Sequence, residues 1–244
     1  MANGIYVATS SSISQLRHLE VLSHNLAHAN TAGFKADRVS YRETAAKIDS
    51  AAAQADPTKG DKRYTDTMQT NARLAPGELI RTDNPLDLAL TGNAFLRVQT
   101  PQGERLTRNG RLMLGADGTL KTLQGHAVLD SGGRPMRLNV QRAPVIDASG
   151  RIAVDGKSLG QLGVTAVDLK VGLHKDSQGL FIPPEETSTL DGNSQVQQGF
   201  LEDSNVSPIQ LMVELIEVQR TFSALQQAIT THGELDSRAA RLAQ

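Results

Sequence analysis

The chain has no cysteine and no tryptophan, and its 244 residues include only three tyrosines and five phenylalanines. The absence of cysteine excludes disulfides, thiolate metal ligands and a cysteine nucleophile together. It is compatible with an oxidising compartment, where a stray thiol is a liability. An aromatic content of 3% offers no platform of rings on which bases or sugars could stack. Neither sign of charge dominates, since 25 Lys and Arg face 26 Asp and Glu for a net charge of −1. A chain so balanced carries no electrostatic footprint for nucleic acid or for an anionic membrane. No stretch reaches the roughly 18–20 apolar residues that cross a bilayer. The opening residues have no basic region and no continuous apolar core, so no cleaved secretory signal is expected. The expectation is a protein that stays in the cytosol or leaves by a route needing no such signal. The 39% of hydrophobic residues allow a lean core of Leu, Val, Ile and Ala.

Hydrophobic spacing divides the chain. From Ile5 to Asn30, apolar residues fall at Ile5, Ala8, Leu19, Leu22, Leu26 and Ala29, with Ser12 and Gln15 interrupting the face. A second ridge passes through Ile13, Leu16 and Ala27. Steps of three and four predict a helix, and Asn30-Thr31-Ala32-Gly33 ends it, because Asn and Gly favour the left-handed backbone that stops helices. At the other end, Ser204, Asn205, Ser207 and Pro208 supply helix-start candidates. Beyond them Leu211, Leu215, Val218, Phe222, Leu225 and Ile229 alternate steps of four and three. That 3.5-residue repeat predicts a helix packing in the coiled-coil manner. Continued to Leu242, it would be about 55 Å long at 1.5 Å per residue. A helix of that length needs a partner.

Between the ends, short strand-like pieces (Phe95–Val98, Gly118–Thr122, His126–Leu129, Arg151–Val154, Val164–Val167) are separated by turn pairs. These are Asp117-Gly118, Gly132-Gly133, Ser149-Gly150, Asp155-Gly156 and Asp191-Gly192. The expected fold class is therefore α+β: long N- and C-terminal helices pairing as a coiled-coil-like module, with an inserted all-β domain. The boundaries are 1–33 for the first helix, 34–73 for an extended connector, 74–198 for the β-rich domain and 199–244 for the last helix.

No chemistry stands out. His24 and His28 are four apart, a metal-compatible spacing, but Asn25 stands where a zinc peptidase has its Glu and no third ligand is near. The Asp-Gly pairs lack the alternating oxygen ligands of a calcium loop and read as turns. Glu185-Glu186 and Glu202-Asp203 read as solvated charge, because adjacent residues rarely face one substrate. There is no phosphate-binding loop and no nucleophile elbow. Expected are no catalytic activity, no cofactor and no bound metal.

Two segments at opposite ends carry a family resemblance. His24-Asn25-Leu26-Ala27-His28-Ala29-Asn30-Thr31-Ala32-Gly33-Phe34-Lys35 resembles the signature near the start of flagellar rod and hook proteins. Gly199-Phe-Leu-Glu-Asp-Ser204-Asn205-Val206, followed by Gln219-Arg220, is similar to that family's second block. Asn84–Gly92, Thr107–Gly110 and Asp117–Thr122 resemble motifs of the rod β domain. The opening Gly4-Ile-Tyr-Val-Ala and the modest length are most like the proximal-rod members, with the distal-rod protein second. His24 and His28, where the family has asparagine, and Asn93-Ala-Phe-Leu are departures.

The resemblance implies a non-enzymatic subunit of a hollow rod, spanning the periplasm and transmitting motor torque. Its partners would be copies of itself, other proximal and distal rod proteins and the flagellar type III export apparatus. Leu19, Leu22 and Leu26, with Leu211, Leu215, Val218, Phe222, Leu225 and Ile229, would form the assembly interface. It further implies that the ends fold only on joining the rod.

Overall fold

The computed structural model describes residues 2–46, 62–138, 143–167, 173–176, 178–184, 188–189 and 194–242. Asp191-Gly192 and Glu185-Glu186 lie outside the described residues. Backbone proximity separates two compact units. One comprises Met1–Leu26, Asp37–Thr70 and Ser207–Gln244, and the other Ala27–Ala36 and Asn71–Val206. The end of the first signature block goes with the β-rich unit, and most of the expected connector goes with the helices.

In the helical unit, α1 spans Ala2–Ala27 and α2 spans Pro208–Leu242. α2 begins where its sequence dictates: Pro208 lacks a donor that the first turn would leave unused, and the Ser207 carbonyl accepts from the Leu211 N–H at 3.0 Å. Gly233 does not interrupt it. Along α2, Val218 is buried and Leu211, Leu215, Phe222, Leu225 and Ile229 are half-buried, while the described side chains between them are exposed. The covered side of the helix is thus the 3.5-residue repeat.

On α1, Leu22 is buried and Leu19 and Leu26 are half-buried. Ser12 interrupts that face but is itself buried, its hydroxyl donating to the Ala8 carbonyl at 2.8 Å, which removes the cost of an unmet polar group. His18 Nε2 meets Glu214 Oε1 at 3.3 Å. Thr9, Ser12, Ile13 and Leu16 line one groove of about 530 Å³ with Phe222, Gln226, Ile229 and Thr230. Early α1 therefore faces late α2, and the two helices run antiparallel. The expected connector contributes β1 (Asp37–Ala46) and β2 (Lys62–Ala72), which pair as a two-stranded sheet.

In the other unit the described elements are strands. These are β3 (Leu79–Arg81), β4 (Leu88–Leu90), β5 (Ala94–Thr100), β6 (Gly103–Thr107), β7 (Leu112–Leu114), β8 (Leu120–Thr122) and β9 (Ala127–Val128). They continue as β10 (Val145–Ile146), β11 (Arg151–Val154), β12 (Lys157–Gln161), β13 (Val164–Ala166), β14 (Ser188–Thr189), β15 (Val196–Gln198) and β16 (Phe200–Glu202). The main sheet has the order β14-β13-β5-β9-β8-β7, with β6 also paired to β5. β10-β11-β12 form a second sheet, and β15 with β4 and β16 with β3 form two antiparallel pairs.

β5 shows why this pattern folds as it does. Side chains alternate across a strand, so Leu96 and Val98 enter the larger apolar cluster while Phe95 enters a second one with Leu106, Val167, Leu173 and Phe181. The expected turns set the registers. Asp155 (φ 50°) and Gly156 (φ 76°) are both left-handed, the two-residue turn whose twist matches a hairpin, and β11 and β12 pair directly across it. Asp147 Oδ1 accepts from the backbone of Ser149 and Arg151 and from the Ser149 hydroxyl, closing the turn before β11.

Leu96 is fully buried in the larger cluster. Leu96→Ala should destabilise the β-rich unit by about 2–5 kcal/mol in urea unfolding, whereas Leu123→Ala, at an exposed site, should stay within about 0.5 kcal/mol.

Candidate functional site: a buried charge junction between the signature blocks

The two signature blocks meet in the β-rich unit. The backbone reaches the junction through Gly33, whose φ of +68° suits glycine and whose missing side chain leaves room for Arg108: a Cβ there would lie 2.3 Å from the Arg108 carbonyl oxygen. The Gly33 N–H donates to the Glu202 carbonyl at 2.7 Å. β16 carries Glu202 inward opposite Leu79 of β3.

At the centre, Lys35 Nζ donates to Glu202 Oε1 at 2.6 Å and to the Ala75 carbonyl at 2.9 Å. Arg108 Nε donates to Glu202 Oε2 at 2.9 Å, and the same guanidinium donates to the carbonyls of Gly92 and Ala94. The Gly77 N–H adds a further donor to Glu202 Oε1 at 2.9 Å. Lys35, Glu202 and Arg108 are 1%, 2% and 4% exposed. The Arg108 guanidinium also lies 5.5 Å from the centre of the Phe95 ring, joining the charges to the second apolar cluster.

Burial pushes the Lys35 amine below its ordinary range, and the nearby Glu202 carboxylate only partly offsets it. For Glu202, burial acts to raise the pKa, but Arg108, Lys35 and the Gly77 N–H outweigh it and hold the carboxyl below its usual range. Three buried charges are costly to desolvate, so the intact cluster adds little net stability over an apolar filling, whereas removing one partner is strongly destabilising. The exposed Arg81–Asp83 pair, at 2.6 Å, matters little either way.

The other signature residues surround this centre. The Phe34 ring is stacked on His28 at 4.8 Å and lies 4.4 Å from Lys175 Nζ, and Lys175 donates to the Lys35 carbonyl. Thr31 Oγ1 is 3.1 Å from His28 Nδ1. Asn205 Oδ1 accepts from the Ala36 N–H at 2.8 Å, while its Nδ2 donates to the carbonyls of Arg73 and Ala75. Asn205 is therefore a bracket between three chain segments and not the helix cap expected from its position. Ser204 and Val206 are half-buried, and Ala27 and Asn30 are exposed. In the helical unit, Asn25 is buried and brackets Asp37, accepting its N–H and donating to its carbonyl, each at 2.8 Å. His24 is turned toward Asp37, with 3.9 Å between Nε2 and Oδ2.

One sequence expectation is overturned here. Glu202 is not solvated charge but the anion at the heart of the junction. Neither it nor Arg108 stood out as a site residue, since their partners lie far away in the chain. Among the described residues there is no group of three or more His, Asp or Glu placed to hold a metal ion.

Residues 197–242 match the family described as flagellar basal body rod FlgEFG protein C-terminal. A flagellar basal-body rod protein FlgF of Rhizobium meliloti (strain 1021) is 34% identical over 225 residues, covering 91% of this chain and 90% of its own. The FlgF of Caulobacter vibrioides (strain ATCC 19089 / CIP 103742 / CB 15) is 31% identical over 241 residues, covering 98% and 97%. A FlgG rod protein of Bacillus subtilis (strain 168) is 27% identical over 262 residues, covering 96% and 97%. The chain belongs to the flagellar basal-body rod protein family. It is a structural rod subunit of the basal body, and its likeness to rod proteins named FlgF extends over nearly its whole length.

Glu202→Gln would leave two buried cations facing a neutral amide and should destabilise the β-rich unit by about 3–5 kcal/mol. The sign of the pH dependence follows from the lowered pKa. The contribution of Glu202 is fully present above the ordinary carboxylate value of about 4.3 and is lost as pH falls through the lower folded value. Acid unfolding curves should show that loss in the native protein, and Glu202→Gln should remove this part of the slope.

Proposed function

We propose that this chain joins the proximal rod through its terminal helices, α1 and α2 pairing as a coiled-coil-like module, with the β-rich segment inserted between them as an outer layer. Its roles by segment are assembly for 1–33 and 199–244, connection for 34–73 and outer wall for 74–198. Its neighbours are copies of itself and other rod proteins, proximal and distal. It reaches the periplasm through the flagellar type III export apparatus, and the assembled shaft transmits torque.

One observation carries the assembly reading: α2 is apolar on two sides. The 3.5-residue seam is covered within the chain, but Ile209, Met212, Val213 and Ile216 are 77%, 51%, 54% and 50% exposed. Their spacing of three, four and seven residues places them on one face. A contiguous apolar stripe on a soluble surface marks a contact with another molecule. For a subunit of a helical shaft, neighbouring subunits are the natural cover, through head-to-tail contacts that do not close into a ring. The internal seam, Leu211 to Ile229 with Leu19, Leu22 and Leu26, then builds the module that presents this stripe.

The two faces make different predictions. Ile216→Asp changes an exposed position, so the subunit's thermal unfolding should be unchanged, while motility and incorporation into basal bodies should be lost because a charge would be buried on assembly. Val218→Asp, on the covered side, should lower the helical signal of the isolated subunit as well. A motile Ile216→Asp strain with normal rod yield would overturn the proposal.

A further inference from the structure

Asn109-Gly110, beside Arg108 in the β-rich unit, carries a chemistry that the charge junction does not use. Glycine has no Cβ to shield its own nitrogen, so the Cγ of a preceding asparagine is open to attack by that nitrogen. The fold holds this pair on every side. The Asn109 N–H donates to the buried Thr107 Oγ1 at 3.1 Å, and Asn109 Oδ1 accepts from the Arg111 N–H at 3.0 Å. The Gly110 carbonyl accepts from the Leu88 N–H at 3.0 Å, and a Cβ on Gly110 would stand 1.7 Å from the Leu88 carbonyl oxygen. Gly33 presses from the other direction, since a Cβ there would lie 2.6 Å from the Asn109 nitrogen. The Asn109 carboxamide is held through its oxygen, and a carboxylate oxygen can accept the same Arg111 N–H.

We propose that Asn109 is a self-modification site, kept closed by the folded β-rich unit and opened when that unit unfolds. In the open chain the Gly110 nitrogen gives up its proton to solvent and attacks Asn109 Cγ. The N–Cγ bond forms, the Cγ–Nδ2 bond breaks, and Nδ2 leaves as ammonia after taking a proton from water. A water molecule then opens the succinimide ring at either carbonyl, giving aspartate or its β-linked isomer, isoaspartate, with no change of oxidation state. In the folded unit the ring cannot close unless Asn109 Oδ1 leaves the Arg111 N–H and Gly110 leaves its slot against Leu88. The two products differ in what the fold can accept. Aspartate keeps the main chain and still presents an oxygen to Arg111. Isoaspartate inserts a methylene between Asn109 Cα and the Gly110 nitrogen, where Gly33 and Leu88 leave no room, and shifts Arg111 from its antiparallel bridge with Asp87. A chain that lingers unfolded is thereby marked irreversibly, because the β-linked product no longer rebuilds the strands around Arg108. The proposal concerns the β-rich unit and stands apart from the rod-assembly reading, so either can fail without the other.

The test ages the full-length protein at mildly alkaline pH, in buffer and, in parallel, in unfolding concentrations of urea. Peptide mapping by mass spectrometry follows deamidation, and an isoaspartyl-specific methyltransferase labels the β-linked product within the peptide that holds it. Conversion at Asn109 should be at least about tenfold slower in buffer than in urea, since reaction in the folded protein waits on opening. Asn3-Gly4, the other Asn-Gly pair of the sequence, calibrates the urea arm, where both pairs should convert at comparable rates. The aged urea sample is then diluted, and its refolded fraction is isolated by size exclusion. Isoaspartate at position 109 should be depleted from that fraction and aspartate retained, and Asn109→Asp should refold with the native unfolding midpoint. Equal rates at Asn109 in buffer and urea would overturn the closed site. Isoaspartate recovered in the refolded fraction in its full proportion would overturn the mark, and so would an Asn109→Asp chain that does not refold.

Discussion

A single carboxylate, Glu202, sits where a charge is hardest to keep, and the β-rich unit is arranged around keeping it. Its two oxygens receive Lys35, Arg108 and the Gly77 N–H, while Lys35 and Arg108 turn their remaining donors to the carbonyls of Ala75, Gly92 and Ala94. An apolar substitute for the whole group could be as stable. What it would not supply is discrimination, because a shifted strand would strand a charge in a dry interior.

That requirement explains the glycines nearby. Gly33 has to let the Arg108 backbone pass, and Gly77 lies so close to β16 that a Cβ would stand 2.1 Å from the Asp203 carbonyl oxygen. The close approach of backbones and the buried ions are two sides of one design. A side chain at either position would collide with backbone beside the junction.

The long helices follow a different logic. α2 is apolar on two faces that differ in burial. The seam is covered within the chain and the Ile209–Ile216 stripe is left outward. The polar residues further along are quiet by construction, since the hydroxyls of Thr221, Ser223, Thr230 and Thr231 all return to carbonyls of the preceding turn. These four hydroxyls therefore present no unmet donor of their own on the helix surface.

The local elements were legible in the sequence because each rests on local rules. A 3.5-residue repeat places the covered side of α2, Pro208 starts that helix, and Asp155-Gly156 turns a hairpin, whatever lies elsewhere in the chain. The five strand segments expected between the helices coincide with β5, β8, β9, β11 and β13. The motif segments that hold the junction residues were legible, but the junction itself was not, because it consists of contacts between residues distant in the chain. Glu202 reads as surface charge until folding brings Lys35 and Arg108 to it, and Asn205 reads as a helix cap until Ala36 arrives. The expected connector likewise gave no clear strand signal, since β1 and β2 depend on pairing with each other. Periodicity and turn chemistry thus set the elements from sequence alone. Tertiary structure decided which charges are buried and which apolar face of α2 is already taken, because burial belongs to the packed whole and to no residue by itself.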